Sequence, residues 1–164
     1  MPADEMPSLT TRGGPQEARP RGGKRFVEID RNGLEVLDRE ECLRLLATAT
    51  LGRLAITAGA LPVVLPVNFC LVGDRILFRT VAGSRLDAAT RDAVVAFEVD
   101  DIERRSGTGW SVMVTGVAGP AADLVRLAEL AGADIPRWAP FGRERIIEVT
   151  TEMISGRRFA SAPR

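Results

Sequence analysis

Between Gly52 and Thr80 the chain lays down three strand-like segments and leaves no room for a helix between them. Gly52–Ala58 (GRLAITA) alternates apolar and polar residues, and Gly59 marks a tight connection. Residues 61–72 (LPVVLPVNFCLV) form a longer run, and Gly73-Asp74 turns the chain into Arg75–Thr80. Strands joined by such short turns pair antiparallel. A doubly wound parallel sheet needs a helix between successive strands, so this stretch excludes it.

The remaining elements agree with that choice. Ala93–Val99 (AVVAFEV) and Trp110–Ala118 (WSVMVTGVA) are strand-like, and a last strand spans Glu144–Thr150, extendable to Ile154. The connection DDIERRSGTG is charged and glycine-containing, which places it on the surface. Asp38 and Glu41 form a capping-box pattern ahead of Cys42, Leu45, Leu46 and Ala49, predicting a helix from Arg39 to about Thr48. A short helix over Leu86–Arg91 and a third over residues 120–131 complete the list; Pro120 stands near the first turn of the latter and Gly132 just past its end. The loop ADIPRWAPFG then leads to the last strand. The expected fold is α+β: a six-stranded antiparallel β-barrel with peripheral helices. Residues 1–25 are rich in Pro, Gly, Arg and Glu, and their few apolar side chains cannot offset the entropy of ordering. The expected organisation is a disordered tail over 1–25, one domain over 26–159 and a short C-terminal tail over 160–164.

Composition narrows the chemistry. The 164 residues contain no histidine and no tyrosine. A His-dependent hydrolase triad, His-ligated zinc or iron and His-ligated haem are therefore excluded. The single lysine, Lys24, lies in the tail, which argues against a Schiff-base enzyme. Cys42 and Cys70 sit in apolar stretches with no Cys-x-x-Cys pair, so they read as buried thiols, and no metal is expected. Lys+Arg and Asp+Glu number 22 each, giving no net field towards nucleic acid or anionic lipid. No apolar run approaches the ~20 residues that span a bilayer, and no signal-peptide core is visible. A cytoplasmic protein with neither nucleic-acid nor membrane partners is expected. Any difficult electronics would belong to an organic cofactor, and no side chain stands out as catalytic.

Two places suit such a cofactor. In ILFRTVAGSRL (residues 76–86) a strand ends at Thr80, and Gly83, Ser84 and Arg85 lead into the short helix. Glycine permits close backbone approach, the first helical N–H groups lack partners, Thr80 and Ser84 offer hydroxyls, and Arg85 offers a charged fork. That set suits a phosphate, although it equally describes a serine-capped turn with a solvated arginine. The spacing matches neither a Walker loop nor a dinucleotide fingerprint. The second place is the 61–72 strand, where Pro62 and Pro66 cannot donate to a ladder. The strand must be bulged or at an edge near Pro66, leaving backbone groups of Val67 and Asn68 for a planar heterocycle or for a local hydrogen bond. Arg79 and Glu98 would each line a pocket or decorate the barrel exterior, and the exterior is the expectation for both. Trp110 opens its strand after a glycine-containing loop, as a core lid or a stacking ring. Asp100, Asp101 and Glu103 read as a solvated acidic run.

Five segments in order, LDREECLRLLATATLGRLAIT, LPVVLPVNF, ILFRTVAGSRL, AVVAFEVDD and GWSVMVTGVA, resemble the pyridoxamine 5'-phosphate oxidase-like family of flavin-binding split barrels over roughly Leu37 to Phe159. The similarity is to the compact actinobacterial-type subgroup. It implies a six-stranded split β-barrel and a homodimer with flavin sites in the interface. It implies FMN, with its phosphate held by Thr80, Ser84 and Arg85. The ring would lie along Pro66, Val67 and Asn68 with Phe78 and Arg79 nearby, and Trp110 and Ser111 would close the site, from the same or the other subunit. The chain departs from the vitamin-pathway oxidase in lacking histidine and in having only GRRFASAPR where that enzyme carries a C-terminal extension. The expectation is thus an FMN-dependent oxidoreductase acting on a small planar substrate other than pyridoxamine phosphate. The alternatives are a deazaflavin-dependent reductase on the same fold and a non-enzymatic flavin-binding module; haem-binding relatives are set aside for want of a histidine.

With no side chain of unperturbed pKa between 6 and 8, turnover should be nearly flat across that range. A pH–rate profile checks this, and a bell centred near 7 would reveal a dedicated acid–base residue.

Overall fold

The computed structural model describes residues 27–121, 123 and 143–159. In chain order the elements are β1 (Glu35–Leu37), α1 (Arg39–Leu46), β2 (Leu51–Ala58), β3 (Leu61–Val72), β4 (Arg75–Val81), α2 (Arg85–Ala89), β5 (Ala93–Glu103), β6 (Thr108–Pro120), β7 (Glu144–Val149) and β8 (Met153–Phe159). Every strand pairing is antiparallel. Neighbours run β6-β5-β2-β3-β4-β7, and β7 pairs back onto β6, closing a six-stranded barrel. β8 continues from the other part of β6, and β1 pairs with β8. This is the expected six-stranded antiparallel barrel, with two further strands and two short helices among the described residues. The tails at 1–25 and 160–164, the helix expected over 120–131 and the loop ADIPRWAPFG lie wholly or almost wholly outside the described residues. Neither described helix is long and apolar enough to cross a membrane.

The inner face is filled by alternate strand residues. Leu54 and Ile56, Val67 and Phe69, Ile76 and Phe78, Val95, Phe97 and Val99, Val112 and Val114, and Ile147 and Val149 form one buried cluster. The Phe69 and Phe97 rings meet edge to face at 4.9 Å. Cys42, Leu45 and Leu46 of α1 join the same cluster. Asp38 caps α1 as its spacing predicts, accepting from the Glu41 N–H at 2.8 Å.

Three differences from the sequence expectation have physical causes. The last strand does not run through to Ile154; Thr150–Glu152 turn the chain, and β8 starts afresh at Met153. β8 (MISGRRF) lacks clean alternation, because Gly156 occupies the place where α1 lies closest. A Cβ there would sit 2.6 Å from the Cys42 sulfur. The charged stretch after Val99 is not a loop throughout: β5 extends to Glu103, which pairs with Thr108. Its charged side chains alternate between the two faces of a strand, none of them buried, and only residues 104–107 remain as turn.

Ion pairs tie β8 to α1 and β1. The Glu41 carboxylate accepts from Arg44 at 2.7 and 2.8 Å and also bonds Arg158, which reaches Glu35 at 3.2 Å. Hydrogen bonds from Arg44 and then Arg158 hold the Glu41 carboxyl down to about 2. A depressed carboxylate pKa contributes stability that is present above the ordinary glutamate value and lost as pH falls towards the folded-state value. Glu41→Gln should therefore destabilise the protein at pH 7, and the difference from wild type should shrink as pH drops from 4.5 towards 2. Denaturant unfolding across that range checks it, and a pH-independent difference would assign the loss to packing instead.

Candidate functional site

Backbone parity along β3 determines what its edge offers. The Phe69 N–H donates to the Thr50 carbonyl at 3.0 Å, and β2 and β3 keep one unbroken register from Leu51↔Asn68 to Ala58↔Leu61. Odd-numbered residues of β3 therefore turn their backbone groups towards β2, and even-numbered ones turn them away. Pro62 and Pro66 are both even, so their missing N–H groups fall on the side away from β2. No bulge is needed. The proline-interrupted strand is resolved as an edge.

That edge is partnered only in part. β3 pairs with β4 from Val72↔Arg75 to Phe69↔Phe78 and no further. Beyond this point the two strands part, while β4 continues with β7 through Arg79↔Ile146, Thr80↔Arg145 and Val81↔Glu144. Among the described residues no strand pairs with the outward edge of residues 61–68. The backbones of Val64, Pro66 and Asn68 on one side and of Arg79 and Val81 on the other thus border a split in the barrel wall. Of the two backbones expected to be free, only that of Asn68 faces the split, and that of Val67 is spent on β2. The Val67, Phe78 and Thr80 side chains are buried, whereas Pro66 is exposed and Asn68 and Arg79 are partly so. Arg79 sits on the outer face, paired with Glu144 at 2.9 Å.

The split ends at the turn into α2. Gly83 has φ +81, Ser84 caps the helix by accepting from the Asp87 N–H at 3.1 Å, and the Thr80 and Ser84 hydroxyls are 3.1 Å apart. Arg85 is exposed and makes no ion pair among the described residues. It borders a groove of about 470 Å³ between α2 and the tip of the β2–β3 hairpin, lined also by Thr57, Ala58, Gly59, Leu61, Ala88 and Ala89. The loop is therefore both a capped turn and a place where one guanidinium is left over.

Asp87 is the residue that sequence reasoning missed. It is fully buried, accepts from the Gly83 N–H at 2.8 Å, and pairs with Arg91 at 3.1 Å. The Gly83 bond, with help from Arg91 and Arg145, holds its carboxyl below the usual aspartate range against the opposing effect of burial. The signal was present: Ser84-x-x-Asp87 has the spacing of a reciprocal cap.

Trp110 and Ser111 do not join this group within one chain. They lie on β6, with β5 and β2 between them and β3. Trp110 lines a separate cleft of about 510 Å³ with Phe159, Ile29, Asp101, Glu103 and Arg158. Glu98 lies on the outer face, where it and Asp100 both meet Arg53, with the Glu98 contact at 2.9 Å. That face, running across β3, β2, β5, β6 and β8, also exposes Leu51, Val64, Val94, Met113 and Met153. No cluster of three or more His, Cys, Asp or Glu able to hold a metal occurs among the described residues.

The chain is similar to several known proteins. The profile of the family described as Pyridoxamine 5'-phosphate oxidase matches residues 38–158. An uncharacterized protein of Mycobacterium tuberculosis, Rv0080, is 33% identical over 156 residues, covering 92% of this chain and 97% of its own. The structure of an FAD binding protein from Mycobacterium smegmatis is 35% identical, covers 76% of this chain and 98% of its own, and superposes with a TM-score of 0.65. A conserved protein of unknown function from Corynebacterium diphtheriae is 26% identical over 77% of this chain and 98% of its own, with a TM-score of 0.62.

Proposed function

The chain belongs to the pyridoxamine 5'-phosphate oxidase family, and we propose that within it this protein is a flavin-dependent oxidoreductase acting on a small planar substrate. The carrying observation is the split between β3 and β4, bordered by unpaired backbone edges and ending at Ser84 and Arg85. The donor set fits a flavin. The Asn68 and Arg79 backbones offer donors and acceptors to the rim of a planar heterocycle, and Pro66 forms an apolar wall beside it. Val67 and Phe78 keep the core side of the split closed, since their side chains are buried. At the far end Thr80, Ser84 and Arg85 would take the phosphate, with Arg85 supplying the charge. A bound flavin supplies hydride and one-electron chemistry; the chain binds it, orients substrate against it and excludes water. No histidine or tyrosine is present to move protons, so positioning is the chain's main contribution.

In this reading the protein is a cytoplasmic homodimer. A twofold copy packed on the outer apolar face would cover Leu51, Val64, Val94, Met113 and Met153, and would bring its own Trp110 and Ser111 towards the split of the first subunit. One flavin would lie near each such junction.

FMN is the cofactor that one phosphate site calls for. FAD is the second reading, favoured by the identity to the Mycobacterium smegmatis FAD binding protein and by the groove beside Arg85, which has room for an adenylate half. Heat release of the ligand from purified protein, followed by its absorption spectrum and mass, decides among them. The expected result is a flavin band near 450 nm and the mass of FMN. The mass of FAD would transfer the reading to the dinucleotide, and a deazaflavin spectrum would overturn both. Light scattering of the same sample should give the mass of two chains; a monomer at micromolar concentration would remove the interface from the site.

A further inference from the structure

One buried group remains without a role in this reading. Asp87 Oδ1 is the only buried side-chain polar atom among the described residues with no hydrogen-bond partner. Its nearest cation is Arg145 on β7 at 3.7 Å, beyond hydrogen-bond length. The other oxygen, Oδ2, is fully committed to the Gly83 N–H and to Arg91. A buried carboxylate with one oxygen left unbonded is costly for stability alone. Here it buys a fixed turn.

We propose that Asp87 is the positioning residue of the flavin-phosphate site, holding the Gly83–Arg85 turn in its binding shape through the Gly83 N–H. The inference rests on the flavin reading above. The turn requires Gly83 at φ +81, and the Oδ2 bond at 2.8 Å pins the Ala82–Gly83 peptide that leads into it. The reciprocal bond from the Asp87 N–H fixes the Ser84 hydroxyl, which touches Thr80. Two bonds from one residue thus set both hydroxyls and the point from which Arg85 departs. A phosphate finds the Gly83 N–H already occupied, so its contacts come from the hydroxyls and Arg85. The Asp87 charge would itself repel a phosphate. Arg91 and Arg145, one on each side, offset it. Geometry and charge therefore act in opposite directions, which makes them separable.

The experiment titrates the full-length apoprotein with FMN and with riboflavin, which differ only in the phosphate, and follows quenching of flavin fluorescence. Asp87→Ala should weaken FMN by about tenfold or more, while riboflavin changes by less than about twofold. Asp87→Asn keeps an acceptor for the Gly83 N–H and drops the charge, so FMN should bind within about threefold of wild type or more tightly. If Asp87→Ala does not fold, Asp87→Ser, too short to reach Gly83, reads the same contact and should show the same selective loss. Parallel loss of both ligands, no loss of either, or an Asn variant as weak as the Ala or Ser variant would each overturn the proposal. Arg85→Ala separates the two levels. A preference for FMN over riboflavin that Arg85→Ala leaves intact means that the phosphate site itself is misplaced. A preference lost in Arg85→Ala but kept in Asp87→Ala means that only the role of Asp87 is wrong.

Discussion

Everything at the candidate site depends on β3 and β4 parting after Phe69 and Phe78. Continued in register, β4 would bring Val81 opposite Pro66, at a position where β3 has no N–H to give. A ladder extended that far would leave the Val81 carbonyl unpaired, and β4 runs on with β7 alone, along its other edge. β7 then closes the barrel by pairing with β6. The result is a closed barrel with an open seam, which is unusual because barrels generally exist to remove free strand edges. A seam of unpaired backbone is tolerable where it meets water or a ligand with its own donors and acceptors.

Much of this was legible from particular residues. Glycine turns at 59 and 73 announced the hairpins, and Asp38 and Ser84 both cap helices as their spacing predicts. Pro62 and Pro66 announced an edge without revealing which backbone groups it would free. That depends on parity, which the Phe69 N–H bond to the Thr50 carbonyl reveals and the sequence does not. β8 was not legible, because Gly156 is chosen for contact with Cys42 rather than for strand propensity. Asp87 was overlooked for a related reason: a carboxylate in a helix of five residues looks solvated until the arginines around it are placed by β7 and by the residues just after α2. Tertiary contact decided both.

The placement of Trp110 carries the same lesson at the next level. Sequence order puts it in line with the other site residues, whereas strand order puts β5 and β2 between it and the split. In the proposed site its contribution would need a second copy, for which the outer sheet face offers apolar residues around the Arg53–Glu98–Asp100 charge cluster. Apolar area would drive such an association and the charges would fix its register.

The central claim is that the outward edge of β3 is the ligand-facing edge, and amide hydrogen exchange reads it residue by residue. In the apoprotein Asn68 should exchange quickly and Val67, bonded to β2, slowly. Saturating FMN should slow Asn68 by at least about tenfold and leave Val67 unchanged. Asn68 exchanging at the same rate with and without bound FMN would contradict the account, because the flavin would then lie somewhere other than the seam between β3 and β4.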